Sequence, residues 1–110
     1  MQRVIYFDYD QDLLRPEYQA VVACHTKSLR DRPSARMSLE GNADERGTRE
    51  YNLGLGERRS NAVASAFAGS GADAGRVNAV SYGEERPLCL DSDESCWSKN
   101  RRVEIVYSVK

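Results

Sequence analysis

Two kinds of apolar pattern alternate along the chain, and their order leaves few folds open. Val4–Phe7 is a short run of β-branched and aromatic residues, and apolar and polar residues alternate over 36–41. Both patterns are typical of β-strands with a covered face. Between them, apolar positions recur at helical spacing after Pro16 and predict a helix that ends before Pro33: Tyr18, Val21, Val22, His25 and Leu29.

The second half of the chain repeats this alternation. A second helix is predicted from about Tyr51 to Ala68, ended by Gly69-Ser70-Gly71, and two strands are predicted around 77–82 and 103–109, separated by a loop over 83–99. The order strand, helix, strand, helix, strand, strand predicts an α/β sandwich, with one sheet and two main helices on one face. Because 110 residues correspond to one ordinary core, we expect residues 1–110 to form a single domain.

Charge and hydropathy exclude several classes of partner. Sixteen Lys and Arg balance seventeen Asp and Glu, so the net charge of −1 gives no bulk attraction to nucleic acid. The longest apolar run, Ala20–Cys24, is far shorter than the roughly 20 residues of a membrane-spanning helix. The first residues, Met1-Gln2-Arg3, lack the features of a secretory signal. We therefore expect a cytosolic protein or a soluble domain excised from a longer one.

The cysteines and the single histidine argue against a metal site. No Cys-x-x-Cys pair occurs, and the chain has three cysteines and one histidine. Cys89 and Cys96 lie in a segment of loop composition, and a disulfide and two free thiols both remain open for them. Cys24 is expected to be a small buried thiol in the first helix.

Catalytic chemistry has little support in the sequence. The chain has no phosphate-binding loop, because Gly54-Leu55-Gly56 lies inside a helical pattern rather than at a strand-to-helix turn. No set of nucleophile, base and orienting residue can be assembled from one histidine and scattered acids. We expect His25 to be a buried histidine with satisfied hydrogen bonds, and Trp97 to pack its own loop. The sequence therefore predicts a non-catalytic protein without a cofactor.

Arg59 lies where an apolar residue is expected. It shares one helical face with three apolar residues, at intervals of four, four and three positions: Leu55, Val63 and Ala66. A buried guanidinium keeps its charge and needs partners, and Asp44, after the second strand, is the candidate on this chain. Two interpretations remain open. Arg59 either extends past the core edge or forms an internal ion pair, or it binds the carboxylate of a ligand.

Four separated segments carry a family resemblance: VIYFDYD at 4–10, NADERGTREYNLGLGERRSNAV at 42–63, SYGEERP at 81–87 and KNRRVE at 99–104. They resemble the OmpA-like peptidoglycan-binding domain, most closely its branch of peptidoglycan-associated lipoproteins, in the right order and over nearly the whole chain. The resemblance implies one four-stranded mixed sheet. It also implies a periplasmic protein that tethers the outer membrane to the cell wall by binding the meso-diaminopimelate residue of a peptidoglycan stem, without covalent chemistry.

The resemblance also assigns roles to individual residues. Asp44 would receive the ammonium group of the ligand and Arg59, fifteen positions later, its carboxylate. Further residues would complete or border the same cleft: Asn52, Glu45, Arg46, Gly47, Asp8, Asp10 and Arg101. An aspartate and an arginine match the zwitterionic end of diaminopimelate and leave the site nearly neutral. Asn42 stands where the family usually has histidine, and we expect binding to survive this difference.

The family context carries three further expectations. An oxidising periplasm favours a disulfide between Cys89 and Cys96. A TolB-like periplasmic protein is the expected protein partner, and an interaction module of the Tol-Pal system with secondary wall binding is the alternative function. Attachment to the outer membrane would require an anchor upstream of Met1, either a lipid-modified cysteine with a linker or a membrane barrel.

Overall fold

The computed structural model describes residues 2–109 and contains one four-stranded mixed sheet in the order β1-β4-β2-β3. Strand β4 pairs antiparallel with both β1 and β2, and β2 pairs parallel with β3. Three α-helices connect the strands. The elements in chain order are β1 (Val4–Tyr6), α1 (Gln19–Asp31), β2 (Ala35–Asn42), α2 (Arg49–Gly69), β3 (Val77–Gly83), α3 (Glu94–Asn100) and β4 (Arg102–Val109).

Local signals fix the ends of the two main helices. Pro16 opens a 3-10 turn that leads into α1, and α1 ends at Asp31, two residues before Pro33, as predicted. Helix α2 begins at Arg49 rather than at Tyr51, because the Thr48 side chain accepts the backbone N–H of Tyr51 at 3.1 Å. The polar loop after β2 is therefore shorter than the sequence suggested.

The core lies between the sheet and the two main helices. Helix α1 contributes Val22 and Leu29, and α2 contributes Val63 and Phe67. Alternate residues of the strands complete the cluster, including Ile5, Met37, Leu39, Val103 and Ile105. The predicted fold class, with both main helices covering one sheet face, is confirmed. Among the described residues, no helix is both long and apolar enough to cross a membrane.

Two expectations from the sequence are wrong. The predicted loop over 83–99 contains α3, whose first turn is capped by Asp93 accepting the backbone N–H of Cys96 at 2.9 Å. Cys24 is exposed rather than buried, because its position on α1 points away from the face that carries Val22 and Leu29. The structure joins Cys89 to Cys96 in a disulfide, with the Cα atoms 5.3 Å apart.

His25 is fully buried and connects three parts of the chain. Its Nε2 lies 2.5 Å from the backbone carbonyl of Gln2, and its Nδ1 bonds the hydroxyl of Tyr107 on β4. Burial lowers the pKa of His25 below its usual 6.5, so the ring is neutral at pH 7. A neutral ring with Nε2 as donor and Nδ1 as acceptor satisfies both contacts.

Candidate functional site

A cleft of about 340 Å³ opens where the loops after β1 and β2 meet the first turns of α2. Strands β1 and β2 run in the same direction, because each pairs antiparallel with β4, so the loops that follow them emerge at the same end of the sheet. Helix α2 follows the loop after β2. Six residues that the sequence assigned to the site line it: Asp10, Asp44, Arg46, Gly47, Asn52 and Arg59. The remaining lining residues are Tyr9, Ala43, Tyr51 and Leu55.

Asp44 is nearly covered and strongly hydrogen-bonded. Its Oδ1 accepts the backbone N–H of Arg46 at 3.0 Å and the Arg46 Nε at 3.1 Å, and its Oδ2 accepts Arg46 Nη2 at 2.9 Å. Burial opposes ionisation, but the bonds from Arg46 outweigh it and the pKa of Asp44 lies below its usual value of 3.8. Asp44 is therefore a fixed negative charge at neutral pH.

Arg59 is completely buried, and its partners are backbone carbonyls rather than Asp44. Nε donates to Gln11 O at 2.8 Å, Nη1 to Asn42 O at 2.9 Å and Nη2 to Asp8 O at 3.1 Å. Asp44, the candidate partner named from the sequence, is thus not bonded to Arg59, because Arg46 pairs with it. Burial lowers the pKa of Arg59 to about 10, with the negative charge of Asp44 acting against this shift.

Arg59 consequently stays charged at neutral pH while carrying a desolvation cost. Three of its five N–H donors are used on the carbonyls. The side chain of Asn42 contributes nothing to the cleft directly, since its Nδ2 donates to the carbonyl of Glu40 at 2.9 Å. The guanidinium holds the loop after β1 against the end of β2 and lies at the inner wall of the cleft.

Asn52 presents an unused acceptor beside the cleft. It lies in the first turn of α2, is buried, and its Nδ2 donates to Glu84 Oε1 at 3.1 Å. Its Oδ1 is buried and has no hydrogen-bond partner. Gly47 closes over it with a φ of 103°, a conformation that glycine adopts without strain. A buried acceptor that accepts no bond from the protein is available to a ligand that brings a donor.

Two tyrosines that the sequence analysis did not assign to the site form its rim. Tyr9 and Tyr51 line the cleft and are about half exposed, and the Tyr51 hydroxyl donates to the carboxylate of Asp10. This bond raises the pKa of Tyr51 above its usual 10.0. One sign of this role is visible in the sequence: both tyrosines lie in or beside a polar loop, where binding residues are common and core residues are not expected.

Three other predicted residues lie next to the cleft without lining it. The Asp8 side chain is exposed and 3.5 Å from Arg15, although the Asp8 carbonyl binds Arg59. Glu45 Oε1 accepts Trp97 Nε1 at 2.9 Å and Ser92 Oγ at 2.7 Å. Arg101 donates to Glu94 at 2.6 Å and lies 3.7 Å from Asp44. Trp97 thus holds the loop after β2 as well as its own segment.

The side chains that line the cleft carry charges of both signs. Two carboxylates, Asp10 and Asp44, face two guanidinium groups, Arg46 and Arg59. Within residues 2–109, no group of three or more His, Cys, Asp or Glu side chains is arranged to hold a metal ion. A balanced set of opposite charges suits a zwitterionic ligand better than a purely anionic or cationic one.

Known proteins match the segments of the chain that form this cleft. The model of the OmpA family matches residues 6–101, which include every lining residue of the cleft. The chain belongs to the OmpA family. It is 47% identical over 103 residues to a peptidoglycan-associated lipoprotein of Haemophilus influenzae, covering 94% of this chain and 67% of the relative.

Solved structures support the fold of this OmpA-family chain. The peptidoglycan-associated lipoprotein from Burkholderia pseudomallei matches with a TM-score of 0.95 and 41% identity, over 97% of this chain and 91% of that one. The C-terminal domain of Helicobacter pylori MotB matches with a TM-score of 0.89 at 18% identity, over 100% of this chain and 86% of that one.

A further sequence relative, the peptidoglycan-associated lipoprotein of Pseudomonas putida, is 48% identical, and this chain spans 60% of its length.

Proposed function

We propose that this chain binds the peptide stem of peptidoglycan at the side-chain end of its diaminopimelate residue and tethers the outer membrane to the cell wall. The observation that carries the proposal is that an ionised Asp44 and a buried, charged Arg59 line the same cleft. The free end of diaminopimelate carries one ammonium and one carboxylate group, which these two residues complement. Relatives at 42–48% identity are named peptidoglycan-associated lipoproteins.

In this proposal three polar residues of the cleft bind the ligand directly. Asp44 binds the ammonium group, and the unpartnered Oδ1 of Asn52 accepts one of its N–H donors. Arg59 binds the carboxylate through the two N–H donors that the carbonyls leave unused. Because Arg59 is fully covered, the groups above it have to part when the carboxylate enters.

Attachment through such a cleft is reversible, and its overall strength comes from many copies of the protein binding at once. Two charge-assisted contacts of about 1.5–3 kcal/mol each, before the entropy cost of binding, give a modest affinity for one stem. Many copies on the outer membrane that face a repeating polymer in the periplasm hold it far more firmly than one copy does. A periplasmic location at the outer membrane follows from this proposed role.

A calorimetric titration tests the proposal. Wild-type protein is titrated with a diaminopimelate-containing stem peptide and with the matching lysine-containing peptide, which lacks the second carboxylate. We expect binding of the first and at least about tenfold weaker binding of the second, since one charge-assisted contact is lost. The variant Asp44→Asn, which keeps the shape of the side chain, loses at least about tenfold in affinity for the same reason.

Asp31→Asn is the matched control, because Asp31 is an exposed aspartate on α1 that pairs with Lys27 at 2.7 Å, away from the cleft. It should bind like the wild type. Folded wild-type protein that gives no binding heat, or Asp44→Asn protein that binds as well as Asp31→Asn protein, would refute the proposed function.

A protein partner of the TolB type is the second candidate function, and one surface favours it. Leu88 lies directly before Cys89, and Leu90 lies inside the loop that the Cys89–Cys96 disulfide closes; the two side chains are 59% and 82% exposed. Contiguous exposed apolar area is typical of protein contact surfaces, and these two leucines supply such area two positions apart in the chain. Leu88→Ser with Leu90→Ser should abolish capture of a TolB-like propeller protein while stem-peptide binding persists. A double variant that still captures the partner protein would exclude this surface.

A further inference from the structure

The side chain of Arg46 occupies the anionic end of the cleft. It binds both oxygens of Asp44 through Nε and Nη2, while its backbone N–H holds Oδ1 as well. The Asp44 side chain is 5% exposed and the Arg46 side chain 30% exposed, so Arg46 stands between Asp44 and the solvent. A ligand that needs Asp44 therefore meets Arg46 first.

Two aromatic rings complete the surroundings of this guanidinium. Its Cζ lies 3.8 Å from the centre of the Tyr9 ring and 4.1 Å from that of Trp97, well within the range of cation–π attraction. Trp97 is oriented by its bond from Nε1 to Glu45. A carboxylate and two aromatic rings, contributed by the β1–α1 loop, the β2–α2 loop and α3, thus enclose one cation. We call Asp44, Tyr9 and Trp97 the cation cage.

We propose that Arg46 is a built-in stand-in for the ammonium group of the ligand, which displaces it from the cation cage on binding. The identity of that ligand rests on the proposed function above. The exchange replaces one cation by another, so the net charge inside the cation cage is unchanged. Tyr9 and Trp97 then contact the ligand, a role that neither residue had in the sequence analysis.

Competition by Arg46 has a consequence that distinguishes it from an ordinary ligand contact. A ligand that enters the cage only when Arg46 has left binds with an affinity reduced by the fraction of time that the cage is open. Removing the Arg46 side chain should therefore tighten binding, whereas removing a contact to the ligand weakens it. The sign of the change decides between the two roles.

The experiment compares wild type, Arg46→Gln and a matched control, Arg49→Gln. Arg49 is an exposed arginine paired with Glu85 at 2.5 Å and does not line the cleft, so this control removes the same charge elsewhere. Each protein is titrated with the diaminopimelate stem peptide by calorimetry and with methylammonium by fluorescence. Trp97 is the single tryptophan of the chain, so its emission reports directly on the cage.

We expect Arg46→Gln to bind the stem peptide at least about fivefold more tightly than wild type and Arg49→Gln. Its Trp97 emission should respond to methylammonium at lower concentrations than in either of them. Weaker peptide binding by Arg46→Gln would make Arg46 a ligand contact and overturn the proposal.

Failure of the wild type to bind the peptide is the failure of the proposed function, and the methylammonium titration then decides the cage alone. An equal Trp97 response of Arg46→Gln and wild type in that titration overturns the cage. A stronger response of Arg46→Gln supports the cage for cations in general.

Discussion

Arg59 combines two properties that rarely occur together, full burial and a full positive charge. Its three carbonyl partners belong to Asp8 and Gln11, in the loop after β1, and to Asn42, at the end of β2. The planar guanidinium reaches all three in fixed directions, which an ammonium group cannot do. The residue therefore shapes the cleft in addition to the ligand role proposed for it.

This geometry predicts a specific cost for a conservative substitution. Arg59→Lys should lower the free energy of unfolding by about 2–3 kcal/mol, because at least one buried carbonyl loses its donor and an ammonium group is harder to desolvate. Urea denaturation followed by circular dichroism measures this. Arg58→Lys is the matched control, since Arg58 is half exposed and paired with Asp12, and it should change stability by less than about 0.5 kcal/mol. Equal stability of the two variants would contradict the structural role of Arg59.

At the scale of elements, β2 and α2 touch backbone to backbone. A Cβ built on Gly41 would lie 1.9 Å from the carbonyl oxygen of Gly56, and one on Gly56 would lie 2.3 Å from Ser81 Oγ. Ser81 in β3 also donates to the carbonyl of Leu53 in α2 at 2.7 Å. This close approach sets the position of α2, and with it that of Asn52 and Arg59, relative to the loop that carries Asp44.

The contact between β2 and α2 predicts that replacing glycine by alanine lowers stability at Gly41, inside the contact, but not at Gly69, outside it. Gly41→Ala should destabilise the protein by about 3 kcal/mol or more, because backbone atoms would have to move apart. Gly69→Ala, at the exposed end of α2 with no atom near its Cβ, should be neutral or stabilise by up to about 1 kcal/mol. Thermal unfolding of both variants beside the wild type provides the measurement. A Gly41→Ala protein that melts with the wild type would exclude the close contact.

The elements differ in how far the sequence predicted them. The strands and the two main helices were predictable because their apolar residues recur with the period of the element, as Met37 and Leu39 do in β2 and Val63 does in α2. Helix α3 was not, since its seven residues include few apolar ones and its cap at Asp93 resembles an ordinary turn. Arg59 was noticeable because it interrupts an apolar face. The Arg46 position was hidden, as it depends on two rings 37 residues before and 51 residues after it in the chain.

At the scale of the whole molecule, the cleft depends on segments that meet only in the folded chain. Tyr9, Asp44 and Trp97 come from three separate connections, each anchored to the sheet by its own hydrogen bonds. The backbone of Phe7, for example, donates to the carbonyl of Arg101 at 2.9 Å, and Arg101 Nε returns a bond to the carbonyl of Phe7. The cleft therefore exists only in the folded chain.

His25 makes the stability of the whole fold depend on pH. It joins α1 to β4 through Tyr107 and to the segment before β1 through Gln2. Its pKa is lowered in the folded state, because burial and the nearby charge of Arg3 disfavour the protonated ring. The unfolded chain therefore binds a proton more readily than the folded one between the folded-state pKa and about 6.5.

The sign of the effect follows from this difference in proton binding. The stability contributed by neutral His25 is fully present above pH 6.5 and is lost as the pH falls toward the folded-state pKa, by at most about 1.4 kcal/mol per pH unit. We expect urea denaturation to give a lower free energy of unfolding at pH 5.5 than at pH 7.5. Because the chain has one histidine, His25→Gln should remove most of this dependence while lowering stability at pH 7.5. A wild-type slope that persists in His25→Gln would assign the effect to carboxylates instead, and His25 would then have no part in the response of the fold to acid.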